Sequence, residues 1–92
     1  MASTQPQRVS RSAVTRFYFH VCEGKEFIED EEGQDLPGPE DAKRVAVHSA
    51  RSLMAEDLQH GELNLSSSIE VDAGGGKHLF TVTFDEVVTI HR

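Results

Sequence analysis

Cysteine is all but missing from this chain, since Cys22 is the only one in 92 residues. A lone cysteine rules out an intrachain disulfide, a C-x-x-C redox motif and a cysteine-rich zinc site, and it fits a reducing compartment best. Basic residues are also scarce: 9 Lys and Arg stand against 16 Asp and Glu, a formal net charge of −7. Phosphate binding needs clustered cations to displace counterions, so this balance argues against nucleic acid and anionic membranes as partners and points to a protein partner that is basic. No run of 18 apolar residues occurs. The N-terminus also lacks the apolar core of about seven to fifteen residues that marks a secretory signal, so no membrane span and a cytoplasmic location are expected.

What is present divides into a tail and one domain. Residues 1–15 are rich in Ser, Thr, Gln and Arg and contain no acid. Organellar transit peptides share that composition, but the reading adopted is a disordered tail. Residues 16–92 form a single domain of modest stability, because a chain of this size buries only roughly 60–65% of its unfolded surface.

Within the domain, Arg16-Phe17-Tyr18-Phe19-His20-Val21 alternates, with Phe17, Phe19 and Val21 on one face and Arg16, Tyr18, His20 and Cys22 on the other. That is a half-buried strand. Gly24 supplies a turn, and Glu26 to Glu29 return as a second short strand. From Pro39 to His60, Ala42, Val45, Ala46, Ser49, Ala50, Leu53, Met54 and Leu58 recur by threes and fours, predicting one long helix. Pro39 and the acids Glu40 and Asp41 suit its first turn, and Gly61 suits the left-handed residue beyond its end. Leu53, Met54 and Leu58 are expected to dominate its anchoring, each contributing about 1.5–3 kcal/mol if fully buried. Ser68 to Asp72 and His78 to Phe84 alternate around the Gly74-Gly75-Gly76 turn, predicting a second hairpin with Ile69, Val71, Phe80, Val82 and Phe84 inward. Residues 85–90 read equally as a strand extension or a short helix. The expected fold is α+β: an antiparallel sheet of about four strands, order ββαββ, with the helix packed on one face.

The segment with most chemical character is Glu29-Asp30-Glu31-Glu32-Gly33-Gln34-Asp35, five acids in seven residues. From Glu23 to Asp41 there are nine acids and one lysine, so this stretch carries the whole excess of negative charge. Oxygen ligands at alternate positions suit a hard cation, and weak divalent-cation binding is one alternative. An EF-hand loop, however, needs glycine at its sixth position and glutamate at its twelfth. Counted from Asp30, those places are out of step, with Gly33 fourth and Asp41 twelfth. The simpler reading is a solvated acidic turn that also discourages the neighbouring edge strand from pairing with other chains.

Catalysis finds little support. His20 and Cys22 share a strand face, but two ligands make no structural zinc site, and the other histidines lie on separate elements. No serine sits in a G-x-S-x-G context, and the glycine run lies between strands and opens no helix, unlike a phosphate loop. So polar an acidic segment offers carboxylates no apolar wall to shift their pKa. No enzyme activity and no cofactor are expected.

The order of R-F-Y-F-H-V at 16–21, D-E-E-G-x-D-L-P at 30–37, the alanine-rich helix and Leu79 to Phe84 resembles a family of short uncharacterised bacterial proteins, a domain of unknown function opening with a Y-F-F-H-like strand. The resemblance runs over about residues 16–88 and implies a compact cytoplasmic α+β domain without an established activity. A shorter likeness, Asp35-Leu36-Pro37-Gly38 followed by Glu40-Asp41-Ala42, is similar to HicB-type antitoxin domains and implies a basic toxin as partner. The DNA-binding segment of many such antitoxins is absent. The expected function is a non-enzymatic interaction or regulatory module, alone or as a homodimer, with Tyr18, His20, Glu29, Asp30, Glu31, Glu32 and Asp35 as partner-binding residues.

Overall fold

A computed structural model describes residues 15–92. The tail expected over 1–15 lies, Thr15 apart, outside the described residues. The elements are β1 (Thr15–Glu23), β2 (Glu26–Ile28), β3 (Gln34–Leu36), α1 (Pro39–Gln59), β4 (Ser68–Ala73), β5 (Lys77–Thr83) and a 3-10 turn (Phe84–Val87). They build an α+β domain with one long helix on a five-stranded antiparallel sheet of order β2-β1-β4-β5. The fifth strand, β3, pairs with the start of β1 on the flank that β2 shares at its other end. It falls inside the segment read as a solvated turn: Gln34 and Asp35 pair with Phe17 and Arg16. Its three residues are too few to show alternation, which is why the sequence pattern misses it.

The helix ends where the sequence places them. Pro39 takes the first helical position after Gly38, where a missing N–H costs nothing. At the other end Gly61 adopts φ +80°. Its N–H reaches the Leu58 carbonyl at 3.0 Å while that of Glu62 reaches Asp57 at 2.9 Å, the paired bonds of a Schellman cap. Ala42, Ala46, Ala50 and Met54 are buried, and the alanines let the helix lie close to the sheet. Leu58, expected as an anchor, is 57% exposed, and Leu53 is only half-buried. Leu58 lies a turn beyond Met54, the last buried residue of the helix.

The core joins these helix residues to Phe17, Ile69, Val71, Val82, Phe84 and Val87, with Phe80 partly buried beneath the Lys43 ammonium. Phe84 reaches it from the 3-10 turn, so the choice left open at 85–90 resolves to a helical turn that ends at Val87, with residues 88–90 in neither helix nor strand. Its N–H bonds the Ser67 carbonyl at 2.9 Å, and Arg51 ties the end of the turn to the helix through the Val87 carbonyl at 2.9 Å.

Candidate functional site

β1 leaves a gap on one edge. β2 covers Val21 to Glu23 and β3 covers Thr15 to Phe17, so residues 18–20 have no strand partner on that side among the described residues. Asp30 fills it. Its carboxylate accepts the Phe19 N–H at 3.0 Å, the Gly33 N–H at 3.1 Å and the Glu32 N–H at 3.2 Å. Desolvation pushes the Asp30 pKa up, but the three amide bonds outweigh it and hold the carboxyl below its ordinary range. Gly33 lets the chain turn back, at φ +72°; a Cβ there would lie 2.9 Å from Arg16 Cγ, the Phe17 carbonyl and Tyr18 Cε2.

Asp30 also reaches inward through its backbone N–H, which donates to His20 Nδ1 at 3.0 Å. A backbone N–H can only donate, so Nδ1 is the bare nitrogen and the proton of the neutral ring sits on Nε2. That nitrogen is 3.1 Å from Asp72 Oδ2, and the other oxygen of Asp72 is 3.2 Å from His78 Nδ1. Glu70 continues the network, accepting the Thr81 hydroxyl at 3.0 Å. Partial burial, and then the Glu70 charge, push the pKa of the Cys22 thiol upward. His20 is 7% exposed, stacked parallel to Tyr18 at 6.5 Å and covered by a tilted Phe27 ring at 5.3 Å.

Around this chain lies a concavity of about 460 Å3, walled by Tyr18, His20, Glu29, Asp30, Glu31, Asp72, Gly75 and Gly76. Five of the seven residues singled out from the sequence meet here. Glu32 and Asp35 do not. Arg16 takes them instead, its guanidinium meeting the Asp35 carboxylate at 3.2 and 3.3 Å and the Glu32 carbonyl beside it. The acidic segment is therefore not uniformly solvated: Asp30 and Asp35 hold the loop to β1, whereas Glu29 and Glu31 project into solvent with no ion pair among the described residues. No group of three or more His, Cys, Asp or Glu side chains among the described residues is placed to hold a metal ion. No described helix is long and apolar enough to cross a membrane.

Asp72, Glu70 and His78 were not foreseen. Alternation along Ser68 to Asp72 does put Glu70 and Asp72 on one face, but their meeting with His20 depends on β4 lying next to β1. His78 needs a further accident of register. Val71 pairs with Phe80 and Asp72 with His78, so Leu79 is an extra residue, and this bulge moves His78 to the side of Asp72.

No curated protein and no solved structure matches the chain. A family model does match, over residues 16–85, and it spans both the acidic loop and the paired strands that hold His20 and Asp72. The chain belongs to this family, which is described as a domain of unknown function (DUF6894).

Proposed function

We propose that this protein is a non-enzymatic interaction module that binds a basic segment of a partner protein in the concavity beside Tyr18. The observation that carries the reading is the make-up of that hollow: an aromatic ring with the exposed carboxylates of Glu29 and Glu31, and no lysine or arginine among the described residues of its walls. Carboxylates beside a ring face suit an ammonium or guanidinium group, which gains from both charge and the ring quadrupole. A basic toxin, the partner implied by the antitoxin likeness, is one member of this class, and a cytoplasmic setting suits it. Divalent-cation binding has less support, since Asp30 and Asp35 are already engaged by amides and by Arg16.

Self-association through a sheet edge is a second part of the proposal. β5 is the terminal strand, and its outer backbone meets no other described strand. Light scattering that finds only monomer at micromolar concentration removes this part.

Binding is tested by titrating a hexa-arginine peptide into the full chain by calorimetry. Affinity is expected to fall at least about tenfold in a Glu29→Gln, Glu31→Gln double variant and to weaken with salt. Equal affinity in variant and parent, or no binding at low salt, refutes the reading.

A further inference from the structure

Every bond that His20 makes has a fixed direction, and one of them cannot survive protonation. The ring joins two things: the sheet, through Asp72 on β4, and the acidic loop, through the Asp30 N–H. The first bond strengthens when the ring becomes an imidazolium, because a charged donor then faces a carboxylate. The second is lost, because a proton on Nδ1 would face the proton on the Asp30 nitrogen only 3.0 Å away.

We propose that His20 is a pH-sensitive latch on one end of the acidic loop, closed on the Asp30 N–H when neutral and opened when protonated, while the Asp30 carboxylate and the Arg16–Asp35 pair keep the rest of the loop on β1. The groups around the ring pull both ways. Asp72 and Glu70 on β4 and the Asp30 carboxylate on the loop favour the imidazolium, as do Glu29 and Glu31 at the rim. Opposing it are the Asp30 amide and His78 on β5, which competes for Asp72. Tyr18 on β1 and Phe27 on β2 cover the ring's faces without offering it an acceptor. The consequence for binding rests on the proposed function: protonation places a positive charge in the wall of a hollow meant for a cation and loosens the segment that carries Glu29 and Glu31. A basic partner would be held while His20 is neutral and let go when the ring takes up a proton.

Nuclear magnetic resonance on the full chain tests the latch without any ligand. At pH 7.5 the nitrogen shifts of His20 are expected to report an Nε2-protonated ring, and the Asp30 amide is expected to be protected from exchange. As His20 protonates, that protection, corrected for the intrinsic pH dependence of exchange, is expected to fall roughly tenfold, as loss of one hydrogen bond requires. His20→Asn places a non-titrating oxygen acceptor near Nδ1 and is expected to keep the Asp30 amide protected at both pH values, whereas His78→Gln should leave the parent's response intact. An Nδ1-protonated neutral ring, or Asp30 protection that does not change as His20 titrates, overturns the latch, and both are read in the parent even if a variant fails to fold. The hexa-arginine peptide separates the two proposals. Failure to bind at any pH sinks the binding reading and leaves the latch standing, whereas binding together with a pH-indifferent loop sinks the latch alone.

Discussion

On β4, Ile69 and Val71 are fully buried beneath the helix, while their neighbours Glu70 and Asp72 on the opposite face spend their carboxylates on Thr81, His20 and His78. One strand thus serves two surfaces of different kinds. The covered face is held by shape: alanines admit the helix, and β-branched and aromatic side chains fill what remains. The open face is held by partners, each polar atom depending on a donor or acceptor brought from another strand. Volume is the currency of the first face and connectivity of the second, so adjacent residues should respond to substitution in different ways.

Ile69→Ala sharpens this contrast most. Ile69 is wholly buried, and its truncation is expected to cost about 2–5 kcal/mol in urea unfolding. Glu70→Gln, one residue along, should cost less than about 1 kcal/mol, as for other partly exposed charges. Equal losses at the two positions would erase the distinction between the faces.

A smaller effect, about 1–3 kcal/mol, is expected for Asp30→Ala, which strips three amides of their acceptor. Here the pH dependence is diagnostic. The Asp30 carboxyl titrates lower in the folded chain than in the unfolded one. Its contribution is therefore complete above the unfolded-state value, near 4, and is lost as the pH falls through the lower folded-state value. Parent and variant should differ in stability at pH 7 and converge at strongly acid pH. A difference that stays constant with pH would show that the carboxylate charge is not what holds the loop.

The covered face was the more legible of the two in the sequence, because periodicity reports burial directly. The spacing by fours of Ala42, Ala46, Ala50 and Met54, and the alternation through Ile69, Val71 and Val82, pick out core residues with no knowledge of strand order. Leu58 escapes this rule because lying on the apolar stripe of a helix does not guarantee sheet beneath it. The open face depends on which strand neighbours which and in what register, and neither leaves a local trace. Tyr18, His20 and Asp30 were visible as chemistry, but the bond between Asp30 and His20 spans two elements. The partnership of His78 with Asp72 required both the β1-β4 adjacency and the extra residue at Leu79.

Ser67 breaks the pattern, since it is a polar residue fully buried on the apolar side, and its Oγ has no hydrogen-bond partner among the described residues. Its backbone does useful work, as the carbonyl accepts the Phe84 N–H that brings the 3-10 turn into the core. A substitution that keeps the backbone and deletes the hydroxyl should then remove a desolvation cost without removing a bond. Ser67→Ala is expected to leave stability unchanged or raise it by up to about 1 kcal/mol, the smallest effect in this series. The cavity left by one oxygen is small enough that its cost does not reverse the sign. The opposite result, a loss above about 1 kcal/mol in urea unfolding, would mean that the hydroxyl is satisfied by a buried water and that this face, too, is partly held by connectivity.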